Sequence, residues 1–152
     1  MLQKTVNQKL AYGVPGDLFD TFPRAIDPKI VAGGAICRFY TVDTSDPRKA
    51  VLGGNGVLAG IAVNTKEYII NGLTPSMTFR SGDVAQLMTM GRVYMQLDTE
   101  VQVGMAAYYS IADGSIKAAA PSTSMEGYVE IPNSMFVEVN ALAGEISVLE
   151  LR

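Results

Sequence analysis

Side chains alternate with a period of two along most of this chain, beginning near residue 35. The clearest runs are residues 36–42, 59–63 and 93–97. Because successive side chains of a strand point to opposite faces, this alternation predicts half-buried strands. Further strand candidates, most of them bounded by glycine, proline, asparagine or aspartate, are residues 67–71, 84–90, 100–103, 107–111, 115–118, 127–131, 135–140 and 144–151. We therefore predict an all-β fold, either a compact β-sandwich or a barrel of the jelly-roll-like kind.

Two local signals refine this expectation. Asp113-Gly114 predicts a two-residue type I′ turn that joins residues 107–111 to residues 115–118 in a hairpin. Helix is scarce in the pattern. Only residues 45–51 combine a capping residue with good helix formers, and the glycines that follow limit that helix to one or two turns.

The first 29 residues break the alternation. Pro15, Pro23 and Pro28 each lack a backbone donor and favour extended conformations, so neither a helix nor a central strand is expected here. We predict an extended N-terminal arm over residues 1–29 and a single β domain over residues 30–152. Removing the arm should then leave the domain folded.

The predicted arm is too apolar to remain in solvent, so it must lie on its own domain or on a neighbour. Arg24 would add a charge-assisted contact to a carboxylate or carbonyl of the partner. The side chains that we expect to bind a partner are Tyr12, Val14, Asp17, Leu18, Phe19, Phe22 and Arg24.

Composition removes several kinds of chemistry. The chain has no histidine and one cysteine, which excludes histidine-activated nucleophiles and histidine- or sulfur-rich metal sites. We expect no catalytic residue, metal or cofactor. Cys37 lies in an apolar strand, where a buried, unreactive thiol is the natural interpretation.

Charge and hydropathy indicate which partners to expect. Residues 1–50 carry seven basic and five acidic side chains (+2), whereas residues 51–152 carry five basic and ten acidic ones (−5). The acidic body argues against nucleic acid as a direct partner. No run of 18 apolar residues and no signal-peptide pattern is present, which predicts a soluble protein made in the cytoplasm without a membrane partner.

The residues Gly13-Val14-Pro15-Gly16-Asp17, followed by Thr21-Phe22-Pro23-Arg24-Ala25, resemble the structural cement (decoration) proteins of tailed bacteriophage heads. In that family such an N-terminal segment precedes a glycine-rich β domain. The resemblance continues more loosely through residues 33–39, 60–63 and 91–151. It implies a virion protein that binds the outer surface of the assembled major capsid protein lattice and stabilises the head.

The pattern also predicts self-association. Residues 101–111 are apolar on both faces, so a small domain would cover them with a second copy. We expect a closed homo-oligomer, with a dimer preferred to a trimer.

Two alternatives remain open at this stage. The chain could be another virion component, in the tail or baseplate. It could also be a small-molecule-binding or enzymatic β-barrel, for which Asp98, Glu100, Tyr94 and Tyr109 are the best candidate residues because they are polar and lie on or beside predicted strands.

Overall fold

The computed structural model describes residues 13–20, 23–64 and 78–152. These residues form strands and no helix, which confirms the all-β prediction; accordingly, none of them lies in a helix that could cross a membrane. The strands are β1 (Ala25–Val31), β2 (Gly34–Ala35), β3 (Phe39–Val42), β4 (Lys49–Leu52), β5 (Leu58–Ala62), β6 (Thr78–Phe79), β7 (Val84–Gln96), β8 (Ala106–Ser110), β9 (Ile116–Ala119), β10 (Tyr128–Glu130), β11 (Ser134–Val137) and β12 (Ile146–Leu151).

Five strands close into a small barrel in the order β1-β4-β3-β5-β7, and β7 returns to β1. All the neighbouring pairs are antiparallel except β1 with β4, which run parallel. Closure removes the exposed edges that an open five-stranded sheet would have.

Strand β7 is 13 residues long and belongs to two structures at once. Its first half is a barrel strand, and its second half pairs with β12, which in turn pairs with β11. The sequence pattern split it into residues 84–90 and 93–97, and that separation is wrong. Gly91 joins the halves at a φ of 136°, where any Cβ would lie 2.9 Å from the Sδ atom of Met88.

A second sheet, β10-β8-β9, packs on the first. The predicted hairpin between β8 and β9 is confirmed, but the turn type is wrong. The connection spans residues 111–115, and only Gly114 adopts a positive φ, 66°, whereas a type I′ turn would require one at Asp113 as well. This is a longer hairpin loop, with a left-handed glycine at its next-to-last residue.

Strand β1 starts at Ala25, so the predicted boundary between an arm of residues 1–29 and a domain of residues 30–152 falls inside a strand of the barrel. The expectation that prolines exclude a central strand here is wrong for a geometric reason. The N–H of Ile30 donates to the carbonyl of Arg48 on the β4 side, and the nitrogen of Pro28 faces the same side because alternate residues share a direction. Pairing with β4 is confined to Ile30 and Val31, so no ladder bond is lost at Pro28.

The helix predicted over residues 45–51 is not formed. Asp43 accepts hydrogen bonds from the backbone and hydroxyl of Ser45, and Asp46 accepts one from the backbone of Arg48. These aspartate-centred turns compete with helix and deliver the chain directly into β4. Residues 100–103 also form no strand, apart from a single bridge between Val101 and Ala141. The strand predicted over residues 67–71 lies outside the described residues.

The apolar side chains form two clusters on opposite faces of the barrel strands. Tyr40, Ala62 and Leu87 belong to one cluster, while their chain neighbours Phe39, Ile61 and Met88 belong to the other. The cluster that contains Phe39 also receives side chains from β7, β8, β11 and β12, so it is the layer between the barrel and the β10-β8-β9 sheet. Because successive side chains of a strand point to opposite faces, each barrel strand contributes to both clusters.

Candidate functional site

Residues 13–20, hereafter the docked segment, run antiparallel along the second half of β7. The N–H of Gly16 donates to the carbonyl of Tyr94 (2.8 Å), the N–H of Tyr94 to Asp17 (2.9 Å) and the N–H of Phe19 to Arg92 (3.0 Å). Leu18 faces Val93 in a β-bridge. The predicted arm was expected to lie either on its own domain or on a neighbour. This part of the arm lies on its own domain.

A tight turn shapes the start of the docked segment. The N–H of Asp17 donates to the carbonyl of Val14 at 3.0 Å, with Pro15 and Gly16 between them. Gly16 has a φ of 89°, the conformation that the third residue of a type II turn requires. A Cβ at this buried position would collide with the side chain of Ile36, so glycine is needed for space as well.

The predicted partner-binding residues fall into three groups. Leu18 packs against the chain's own core, and the ring of Phe19 meets that of Tyr94 edge-on at 5.4 Å. Val14 is 48% exposed and Arg24 is also exposed, while Asp17 is half-buried in the turn. Tyr12 and Phe22 lie outside the described residues. The contact of all seven with a partner stays a prediction.

A charge cluster holds the far end of the docked segment. Nε of Arg92 donates to Oε2 of Glu150 at 2.7 Å, and Nη1 lies 3.3 Å from Asp20 and 3.4 Å from Glu138. Glu150 also accepts from Arg152, although its side chain is only 1% exposed. Burial raises the pKa of Glu150, but the hydrogen bonds from Arg152 and Arg92 outweigh it and hold the pKa below its ordinary value.

Sequence reasoning missed this cluster. Arg92 and Glu150 are 58 residues apart and meet because β7 and β12 pair in register. The available signal was Glu150, a charged residue inside the apolar run 146–151, and a charge there also fits an ordinary solvent-facing position on a strand.

Cys37 lies beneath the docked segment. Its thiol donates to the carbonyl of Tyr94 at 3.9 Å, and Cys37 has a φ of 65°. Burial, together with the nearby carboxylate of Asp17, raises the pKa of the thiol to about 12. The thiol is therefore protonated at neutral pH and is a poor nucleophile.

We expect a thiol-specific disulfide reagent at pH 8 to modify Cys37 at least about a hundredfold more slowly in the folded protein than in denaturant, since the thiolate population and its accessibility both fall. Absorbance of the thiolate that the reagent releases measures the rate of modification in the folded and in the denatured protein. Equal rates in the two conditions would contradict the burial of this thiol.

The residues that would support an enzyme do not converge. Asp98 and Glu100 are exposed in the loop after β7, whereas Tyr94 packs against the docked segment. The ring of Tyr109 stacks on that of Phe39 with centroids 4.4 Å apart, and its hydroxyl donates to the carbonyl of Gly54 at 3.0 Å. Within residues 13–20, 23–64 and 78–152, no three acidic or cysteine side chains cluster in a way that could hold a metal ion.

The strand that suggested self-association is covered without a second copy. All five residues of β8, Ala106–Ser110, are buried within the chain, between β9 and β10 in the sheet and the core layer beneath. For residues 106–110, therefore, the argument from apolar faces to a subunit interface loses its premise. Exposed apolar side chains lie at Val103 (52% exposed) and along a shallow groove of about 190 Å³ at the β1–β4 seam, where Ile30 and Val51 are exposed.

Comparison with known proteins identifies the family. The family described as structural cement protein (E217 gp24/Pam3 gp6) matches residues 2–152. The chain belongs to this phage structural cement protein family. It is thus a phage structural protein that associates with the capsid of the virion, as the N-terminal motif had implied.

A solved structure agrees with this cement protein in fold. The chain is similar to a chain in the capsid of Myoviridae phage XM1, with a TM-score of 0.69, 14% sequence identity, and coverage of 99% of this chain and 97% of that one. The N base of head fibre gp8.5 of bacteriophage phi29 matches with a TM-score of 0.49, 12% identity, and coverage of 86% and 95%. No curated protein matches the sequence.

Proposed function

We propose that this cement protein binds the outer surface of the assembled major capsid protein lattice and stabilises the head without catalysing a reaction. The docked segment is the observation that carries this proposal. It presents the exposed Val14 from a turn that is already hydrogen-bonded to β7, and Arg24 follows a few residues later, just before β1. The family match supports a structural role at the capsid.

Preorganisation gives the docked segment its value as a binding surface. Ordering a free peptide on a partner costs conformational entropy, whereas this segment is ordered before it meets the shell. Leu18 and Phe19 support it from beneath by packing on β7 and Tyr94. In this proposal Val14, Arg24, Tyr12 and Phe22 contact the shell, and Asp17 fixes the turn.

Stabilisation follows from linkage. A ligand that binds the assembled shell, and not its dissociated subunits, shifts the equilibrium towards assembly by mass action. A homo-oligomer would bind through several such segments at once, which raises the effective affinity. The homo-oligomer, with a dimer preferred to a trimer, stays a prediction, and the buried strand β8 gives it no support. The protein would be made in the host cytoplasm and would join the head from outside.

The proposal predicts that Val14→Asp combined with Arg24→Glu weakens binding to shells by at least tenfold. Burying a large apolar side chain contributes about 1.5–3 kcal/mol, and about 1.4 kcal/mol corresponds to tenfold in affinity. Co-sedimentation of the purified protein with undecorated phage heads measures the dissociation constant. Reconstruction of decorated particles then distinguishes the outer surface of the head from the tail and baseplate.

Val57→Asp provides the matched control, because Val57 is 75% exposed in a loop of the barrel away from the docked segment. We expect this variant to bind shells as the unmodified protein does, and all three proteins to unfold at the same temperature. If the double variant bound with unchanged affinity, the docked segment would not be the shell-binding surface.

A further inference from the structure

The charge cluster around Arg92 joins the docked segment to two other parts of the fold. The guanidinium meets Asp20 at the end of the docked segment, Glu138 after β11, and Glu150 in β12. The exposed side-chain fractions are 22% for Arg92, 35% for Asp20 and 1% for Glu150, so the cluster runs from the core to the surface.

The position of the Arg92 side chain is set by Glu150 and does not depend on Asp20. Glu150 lies opposite Arg92 in the β7–β12 register, accepts its Nε at 2.7 Å, and is itself held by Arg152. A guanidinium is planar and presents its donors in a rigid fork, so anchoring Nε directs Nη1 towards one place. In this fold that place is occupied by the carboxylates of Asp20 and Glu138.

Arg92 also holds the docked segment through its backbone. Its carbonyl accepts the N–H of Phe19, the residue next to Asp20. One residue thus binds two successive positions of the segment, once by side chain and once by main chain. From Arg24 the chain again lies beside β7, with Arg24 next to Gly91 and Ala25 of β1 opposite Met90.

We infer that Arg92 is a positioning residue that latches the docked segment to β7 through Asp20. Without that ion pair, residues 16–20 keep their backbone bonds to β7 and the packing of Leu18 and Phe19, but the end of the docked segment loses the anchor from Arg92 and the segment opens more often. The consequence for shell binding rests on the function proposed above: a segment that opens must be reordered on the shell, which weakens binding.

Amide hydrogen exchange of the full-length protein, followed by nuclear magnetic resonance, tests the latch directly. We expect Asp20→Asn to accelerate exchange at Gly16 and Phe19 about three- to tenfold, while the buried amides of β12 keep their rates. Glu138→Gln is the matched control, because it removes a carboxylate from the same Nη1 atom outside the docked segment. It should leave Gly16 and Phe19 unchanged, and Asp20→Glu should retain most of their protection.

Equal exchange in Asp20→Asn and unmodified protein would overturn the latch, as would equal acceleration by Glu138→Gln. The affinity for phage heads is a separate readout, with Glu126→Gln as a remote acidic control. Asp20→Asn should weaken binding at least threefold there, and unchanged affinity would overturn the link between the latch and binding. If the unmodified protein failed to bind heads, the proposed function would be wrong. The exchange rates would still test whether Arg92 and Asp20 hold the docked segment on β7.

Discussion

We expect deletion of residues 1–29 to abolish the cooperative unfolding transition of this cement protein, because the deletion removes most of a barrel strand together with the arm. Residues Ala25–Lys29 pair with β7 from Met90 to Ala85, and Ile26 packs against the core. Losing Ile26 alone forfeits about 1.5–3 kcal/mol of burial. Opening the barrel also exposes the edges of β4 and β7, which invites aggregation. This result would replace the expectation, drawn from sequence, that the domain survives without its first 29 residues.

Deletion of residues 1–24 is the matched control, since it removes the docked segment and leaves β1 intact. We expect this shorter deletion to keep a cooperative thermal transition at a lower temperature, because Leu18 and the backbone bonds to β7 are lost. Circular dichroism and calorimetry follow both proteins. A longer deletion that melted at the temperature of the full-length protein would show that β1 is dispensable for barrel closure.

We expect Arg92→Met to lower the free energy of unfolding at pH 7 by about 3 kcal/mol, because removing one partner of a buried ion pair leaves an undercompensated charge. The charge is that of Glu150, whose side chain is 1% exposed and would then depend on Arg152 alone. Denaturant titration measures the loss. The double variant Arg92→Met, Glu150→Leu should recover most of it, since the buried charge is then gone.

The same loss depends on pH in a defined direction. The pKa of Glu150 is below its ordinary value of 4.5, so the stabilisation from its ionised form is complete above that value and disappears as the pH falls through the lowered pKa. The difference between Arg92→Met and the unmodified protein should therefore shrink in acid. A constant difference down to pH 2 would contradict the assignment to Glu150.

Arg38→Met supplies the control for a surface pair. Arg38 lies 3.1 Å from Asp113, but both side chains are well exposed, at 38% and 57%. Exposed pairs contribute about 0–1 kcal/mol, so the loss should stay within that range. Asp113 has a pKa lowered to about 2, mainly by hydrogen bonds from Ser115, and those bonds remain in this variant.

What the sequence determined by itself is local. The period of two from residue 59 onward places β5, β8, β9, β10 and β12 within a residue or two, because strand alternation is a property of neighbouring residues. The proline and glycine around Gly16 favour a tight turn by their own backbone preferences. Together with the motif that follows them, they indicated the cement family from sequence alone. The lack of histidine likewise restricts the chemistry wherever the side chains lie.

How these strands pair with one another became clear only from the tertiary structure. Pro28 looks incompatible with a barrel strand until β4 is seen to pair only beyond it, and Gly91 looks like a strand end until β7 is seen to change partners there. Glu150 looks like a solvent-facing residue until Arg92 is placed opposite it across the β7–β12 ladder. In each case the deciding neighbour lies on another strand, 19 or more residues away along the chain. Local propensity carries no information about such a neighbour, and that is why the docking of the segment on β7, the barrel seam and the charge cluster are visible only in the folded chain.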